Sequence, residues 1–191
     1  MNTVNSKAGL RQIIRTALGK VSPAVRAVES IGLCRRLEAQ MQSARTILFF
    51  APLADELDVW PLLGTLLRTP VVCALPAFDG ATQLYSARRI RNLETDIFIG
   101  KFGVSEPLLE LEEIPPGKFD LVLVPGVAFD LGGNRLGRGK GFYDRILAGA
   151  SGVKCGVAYD FQLLEKIPTE PHDAKVDFIF TPARGVKAKK N

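Results

Sequence analysis

The chain has 191 residues, of which 47% are hydrophobic and 24% charged, and its formal net charge is +5. These values are ordinary for a globular protein and give enough length for one domain with a sizeable core. The positive excess suits acidic small molecules, and because it forms no block it disfavours nucleic-acid binding. No apolar run approaches the ~20 residues of a membrane helix.

Three cysteines, Cys34, Cys73 and Cys155, lie far apart in the sequence and form no Cys-x-x-Cys pair. This spacing disfavours a disulfide framework or a zinc site and fits reduced thiols in the cytoplasm. The N-terminus lacks the apolar core of a signal peptide. We therefore expect a cytoplasmic, monomeric chain without a membrane or nucleic-acid partner. It should form one domain over residues 1–191, with a flexible basic tail at about 185–191.

Two helices are predicted first. Ser6 should cap a helix that runs to about Leu18, and Ser22-Pro23 should begin a second helix that ends near Met41. Short helices are expected near residues 62–67, 143–147 and 161–166, and residues 92–107 should be irregular. Apolar runs predict strands at 46–51, 71–75 (stopped by Pro76), 84–87, 120–124, 154–159 and 176–180.

Strands that alternate with helices predict an α/β fold with a mainly parallel sheet flanked by helices. Ligands of such sheets collect at the carboxyl ends of the strands. Asp55, Glu56, Asp160 and a glycine-rich stretch (residues 125–145) each follow an apolar strand directly. We expect all of them on one edge of the sheet.

The glycine-rich stretch carries four cations, Arg135, Arg138, Lys140 and Arg145, among its glycines. Glycines let backbone N–H groups approach a ligand, and interleaved cations favour an anionic one. A loop that ends at a helix start adds the positive end of the helix dipole. The stretch is therefore predicted to bind phosphate. The alternative is a glycine-rich surface turn with solvated cations, since neither standard nucleotide fingerprint is present.

Carboxylates could complete such a site. Glu56 either recognises the N–H donors of a heterocycle or only solvates its loop, and Asp173 is either a metal ligand or an ordinary turn aspartate. Asp144 could hold a divalent cation against the phosphates. His172 is the only histidine, which excludes a His-rich metal site and most Ser-His-Asp schemes. Phosphoryl transfer needs neither, because positioning and charge neutralisation supply most of its rate.

The glycine-rich stretch reads Pro-Gly-Val-Ala-Phe-Asp and then Gly-Asn-Arg-Leu-Gly-Arg-Gly-Lys-Gly-Phe-Tyr-Asp, which resembles the signature of the 5-formyltetrahydrofolate cyclo-ligase family. Weaker matches follow the family's order: Lys-Ala-Gly-Leu-Arg at 7–11, Asp-Glu-Leu-Asp at 55–58, Lys-Phe-Gly-Val-Ser-Glu-Pro at 101–107 and His-Asp at 172–173. Many members have tyrosine where this chain has Phe142, which we interpret as an aromatic wall.

The resemblance implies a fold like that of sugar-phosphate isomerases and CoA transferases. It also implies the ATP- and Mg²⁺-dependent conversion of 5-formyltetrahydrofolate, with or without a polyglutamate tail, to 5,10-methenyltetrahydrofolate. Arg135, Arg138 and Lys140 are the expected catalytic cations, and Asp144 and Asp173 the expected Mg²⁺ ligands. The expected ATP-binding residues are Lys7, Arg11, Arg135, Leu136, Gly137, Arg138, Gly139, Lys140, Gly141, Phe142 and Tyr143. The expected folate-binding residues are Ala51, Glu56, Arg138, Gly139, Lys140, Gly141 and Phe142.

Three alternatives stay open at this point. A relative with the same ATP site could act on another substrate, and a non-catalytic protein could sequester folate or nucleotide. A basic loop could also bind nucleic acid, which would be strongly salt-dependent.

Overall fold

A computed structural model of the protein describes residues 6–100, 103–139, 141–171 and 173–189. Its four α-helices are α1 (Lys7–Leu18), α2 (Pro23–Met41), α3 (Trp60–Leu66) and α4 (Phe142–Gly149). The Ser6 hydroxyl accepts a hydrogen bond from Gly9 N, and the Ser22 hydroxyl accepts one from Val25 N. Both predicted caps are therefore present. No helix among the described residues is long and apolar enough to cross a membrane.

Short strands account for most of the remaining regular structure. They are β1 (Thr46–Leu48), β2 (Val72–Asp79), β3 (Leu84–Ile90), β4 (Ile97–Ile99), β5 (Ser105–Pro107), β6 (Leu121–Pro125), β7 (Ala128–Asp130), β8 (Arg135–Leu136), β9 (Val153–Val157), β10 (Leu163–Leu164), β11 (Phe178–Phe180) and β12 (Gly185–Lys187).

The main sheet has the order β12-β11-β9-β6-β1-β2-β3. Its five inner strands are parallel, and β12 and β3 pair antiparallel at the two edges. The predicted α/β fold with a mainly parallel sheet is thus confirmed.

Both faces of the sheet are covered, which explains the continuous apolar runs in its central strands. In β6, Leu121 and Leu123 pack in the cluster that contains core residues of α1, α2 and α3. Val122 and Val124, which alternate with them, pack in the second cluster with Ile146 and other residues of α4. Burial of β6 between these layers fixes where the chain leaves the sheet and enters the glycine-rich stretch.

Several segments differ from the sequence prediction. Part of 92–107 forms the antiparallel hairpin β4–β5, and 161–166 contains a 3₁₀ turn and β10 in place of a helix. Strand β2 runs through Pro76, where the prediction ended it. Beyond Ala74 this strand pairs only with β3, so its other side is an edge of the sheet. An edge tolerates a proline, which has no N–H to donate.

The expected flexible tail is also corrected at its start. Residues 185–187 form strand β12 against β11, and Ala188 N and Lys189 N donate to backbone oxygens of Asp177 and Leu131. Main-chain pairing therefore holds this basic segment on the sheet edge.

The glycine-rich stretch is not one loop. Strands β7 and β8 form an antiparallel hairpin, and β10 adds in parallel to β7. The buried Asp130 carboxylate accepts hydrogen bonds from Gly132 N, Asn134 N and the Asn134 side chain at the hairpin turn, and from Ile167 N beyond it. The hairpin directs residues 135–139 back over the carboxyl ends of β1 and β6.

Candidate functional site

A cleft of about 1270 Å³ lies between α1, the loop after β1, the hairpin β7–β8 and the start of α4. It lies at the edge of the sheet where the sequence places the site. Thirteen of the predicted site residues line it: Lys7, Arg11, Ala51, Glu56, Arg135, Leu136, Gly137, Arg138, Gly139, Gly141, Tyr143, Asp144 and Asp173. The structure therefore brings together residues that are up to 166 positions apart.

Helix α1 contacts the glycine-rich stretch directly. Arg11 Nε donates to the Gly137 carbonyl oxygen at 2.8 Å, and its guanidinium lies beside Gly139. Gly139 and Gly141 have φ values of +96° and +66°, in the left-handed region that side chains disfavour. Glycine at these positions permits the tight path that exposes the backbone to the cleft.

Among the described residues of the site, Arg135 is the most buried cation, with 5% of its side chain exposed. Its Nη2 donates to Asp144 Oδ1 at 2.6 Å, and its Nη1 donates to the Pro125 carbonyl oxygen at 3.3 Å. The guanidinium carbon lies 5.9 Å from the centre of the Tyr143 ring. Arg135 thus joins the end of β6 to the first turn of α4.

Arg138 crosses the cleft to the loop after β1. Its Nη2 donates to Asp55 Oδ1 at 2.6 Å and to Glu56 Oε1 at 3.0 Å, and its Nε donates to the same Glu56 oxygen at 3.3 Å. Glu56 is 14% exposed in its side chain, and its other carboxylate oxygen accepts from Leu53 N. Burial raises the pKa of Glu56 above its usual value, although Leu53 N and Arg138 oppose the rise.

Lys7 lies at the opposite wall. Its Nζ contacts Asp173 Oδ2 at 2.7 Å and Glu170 Oε2 at 2.8 Å. Burial alone would lower the pKa of Lys7, but the hydrogen bonds to the two carboxylates outweigh it and the pKa is raised. Lys7 is therefore held by two carboxylates at the cleft wall and is not a solvated helix residue.

The Tyr143 hydroxyl is buried and makes no hydrogen bond with the described residues. Burial, with the nearby negative charge of Glu56, raises its pKa well above the usual value, so it is a neutral donor. A buried hydroxyl without a partner destabilises a fold. Tyr143 is nevertheless one of the residues that line the cleft.

The two predicted metal ligands line the same cleft but do not form a metal cage. Asp144 pairs with Arg135 and Asp173 with Lys7, and the described residues include no cluster of three metal-ligating side chains. Mg²⁺ usually binds through one or two carboxylates together with substrate phosphates and water. The two aspartates fit that mode of binding.

Some predictions lie outside the described residues: those for Lys140, the Phe142 ring, Lys101 and Phe102, and His172. Asp160 does not join the site, since it accepts from Thr181 Oγ1 and Ala183 N. The sequence predicts no role for Glu170, for Tyr85 in the cleft lining, or for Asp130. Only Asp130 carried a local signal, because aspartate before Gly-Gly-Asn is typical of a turn.

Comparison with known proteins adds an independent finding. The family described as "5-formyltetrahydrofolate cyclo-ligase family" matches residues 3–182. A 5-formyltetrahydrofolate cyclo-ligase of Mycolicibacterium smegmatis is 36% identical over 190 residues, covering 96% of this chain and 97% of that protein. The Mus musculus protein of the same name is 30% identical, covering 92% of this chain and 93% of the relative. The solved structure of Aquifex aeolicus 5,10-methenyltetrahydrofolate synthetase matches with a TM-score of 0.87 at 32% identity, covering 97% of this chain and 94% of that one.

Proposed function

Because the chain belongs to the 5-formyltetrahydrofolate cyclo-ligase family, we propose that it converts 5-formyltetrahydrofolate to 5,10-methenyltetrahydrofolate, using ATP and releasing ADP and phosphate. The observation that carries the proposal is the reach of Arg138 across the cleft. This contact joins a glycine- and cation-rich segment suited to phosphates with a buried carboxylate suited to the N–H donors of a pterin.

The reaction defines what the site must supply. The formyl oxygen attacks the γ-phosphorus of ATP and ADP leaves; N10 then attacks the activated formyl carbon, and phosphate leaves. An amide oxygen is a weak nucleophile, so the rate must come from alignment of the two substrates and from neutralisation of charge on the transferred phosphoryl group. Arg135, Arg138 and Lys140 are the residues to which we assign that neutralisation.

We assign the other roles to residues that lie around the cleft. Lys7, Arg11 and residues 135–143 would bind ATP, while Ala51, Glu56 and residues 138–142 would border the folate. Glu56 is buried and already accepts from Leu53 N, so it is held in place for a further donor.

Asp144 and Asp173 would hold Mg²⁺ against the phosphates. The ion would supply further neutralisation of the triphosphate charge. Both carboxylates are paired with cations in this structure, so Arg135 and Lys7 would exchange these carboxylates for phosphate when the nucleotide binds.

We also assign the protein to the cytoplasm and to a monomeric state. Cys73 and Cys155 are free and buried in the core, and burial raises the pKa of each thiol to about 12. Such unreactive free thiols are compatible with a reducing compartment.

The test is a spectrophotometric assay at the absorbance of the methenyl product. Purified protein with 5-formyltetrahydrofolate, ATP and Mg²⁺ should produce that absorbance together with stoichiometric ADP, and omission of ATP should abolish both. Nucleotide binding without product would contradict the proposal and favour a relative with another substrate. Tight folate binding without ADP release would favour a sequestering protein.

A further inference from the structure

Arg138 is held by two carboxylates with different surroundings. Glu56 lines the cleft, but Asp55 does not, and its side chain is 35% exposed. Asp55 nevertheless makes the shorter contact, 2.6 Å against 3.0 Å from the same Nη2 atom. Asp55 therefore contacts the lining of the cleft through Arg138.

The contacts leave one part of the guanidinium available. Nη2 donates to both carboxylates and Nε donates to Glu56, so three of the five N–H donors of Arg138 are engaged. No acceptor contacts Nη1 within the described ranges. Because a guanidinium is planar, fixing Nη2 and Nε also fixes the direction of Nη1.

The loop that carries Asp55 is itself held at both ends. Glu56 N donates to the Leu53 carbonyl oxygen and Leu53 N donates to the Glu56 carboxylate. Asp58 N donates to Ser30 Oγ at 2.8 Å, and Asp58 Oδ1 accepts from Trp60 N at the start of α3. The Asp55 carboxylate therefore stands on a fixed support rather than on a loose loop.

We propose that Asp55 is a positioning residue for nucleotide binding, which with Glu56 orients the Arg138 guanidinium so that Nη1 donates to a phosphate oxygen. The inference rests on the proposed function, since it takes ATP as the ligand of Arg138. A side chain as long as arginine loses substantial rotamer entropy when it is ordered. When the two carboxylates order the side chain before ATP binds, this entropy loss no longer weakens ATP binding.

A positioning role and a purely electrostatic role for Asp55 predict opposite changes in the affinity for ATP. Removal of a negative charge near a binding site for a polyanion should strengthen ATP binding through the field alone. Loss of a positioning carboxylate should weaken it. The experiment measures the dissociation constant of ATP with Mg²⁺ by calorimetry, without folate so that no turnover occurs.

We expect Asp55→Ala to weaken ATP binding about three- to tenfold, the net contribution of one ordinary hydrogen bond, and Asp55→Asn to weaken it less because its amide oxygen still accepts. In an Arg138→Gln background, Asp55→Ala should cause no further loss. Glu112→Gln is the matched control, because this exposed carboxylate also lies between arginines, Arg89 and Arg91, but outside the cleft. Thermal midpoints of all variants check folding.

Unchanged or tighter ATP binding by Asp55→Ala would overturn the inference, as would a further loss in the Arg138→Gln background. In either case a clear loss in Arg138→Gln alone would leave the proposed role of Arg138 intact. Unchanged binding by Arg138→Gln would overturn both the inference and that role.

Discussion

The position of Glu56 in the cleft suits it to bind a ligand, but it also removes the carboxylate from water. Its carboxylate is largely buried, and burial raises its pKa above the usual value of 4.5. The folded state therefore binds this proton more tightly than the unfolded state. Below 4.5 both states are protonated, and as the pH rises through the window between 4.5 and the raised pKa, ionisation favours unfolding.

This sign leads to a test with Glu56→Gln, which cannot ionise. We compare the free energy of unfolding of the native protein with that of Glu56→Gln. The difference, native minus variant, should fall by about 1.4 kcal/mol for each unit of pKa shift as the pH rises through that window. Above the window it should stay constant. Urea unfolding of both proteins between pH 4 and pH 7 measures the difference. A difference that grows with pH would show that the contact with Arg138 outweighs burial.

At the scale of elements, the hairpin β7–β8 depends on the buried Asp130 carboxylate. Its Oδ1 accepts from Gly132 N and Asn134 N, and its Oδ2 accepts from the Asn134 side chain and from Ile167 N. The residue is 2% exposed, so none of these bonds competes with bulk water. Asp130 thus ties the hairpin that presents Arg135 to the segment that leads to Asp173.

Replacement of Asp130 by asparagine turns one acceptor oxygen into a donor that faces N–H groups. We expect the free energy of unfolding to fall by about 1–3 kcal/mol, the usual effect of an unsatisfied buried polar group. Asp79→Asn is the control, because Asp79 accepts from Ala81 N in a similar turn, where the hydrogen bond is exposed. Urea unfolding compares the two variants, and equal losses would contradict the role of burial.

The same scale shows what the sequence could predict. The ends of α1 and α2 were accessible because their signals, Ser6 and Ser22-Pro23, act within one helical turn. Strands β4, β5 and β12 were missed because each has only three residues, too few to show an alternating pattern, and their stability depends on the context of the partner strand. Likewise, the carboxylates at 55, 56 and 173 could be identified from the sequence as candidate residues. Their contacts with Arg138 and Lys7 could not, because these contacts depend on tertiary packing.

At the scale of the whole molecule, three ion pairs join residues proposed to bind ATP to carboxylates proposed to bind other ligands. Lys7 pairs with Asp173, Arg135 with Asp144, and Arg138 with Glu56. ATP without a metal would draw the cations away from these carboxylates, and no other positive charge would replace them. Mg²⁺ without ATP would take Asp173 and Asp144 from Lys7 and Arg135, leaving Lys7 with Glu170 and Arg135 with the Pro125 carbonyl oxygen.

We therefore expect ATP and Mg²⁺ to stabilise the protein together by more than the sum of their separate effects. At about one hundred times the dissociation constant, a ligand adds about 2.7 kcal/mol. For a chain of this size that corresponds to an increase in the melting temperature of about 5–10 °C. Thermal unfolding with each ligand alone and with both measures the excess, and strictly additive shifts would contradict the exchange of partners.

The pairing of Lys7, Arg135 and Arg138 with carboxylates also bears on anions that are not substrates. Each of these cations already has a negative partner held at a fixed distance, so inorganic phosphate or sulfate gains little by displacing it. The cleft should discriminate against such background salts without any steric gate. For the same reason, the enzyme should readily release the orthophosphate that its own reaction generates.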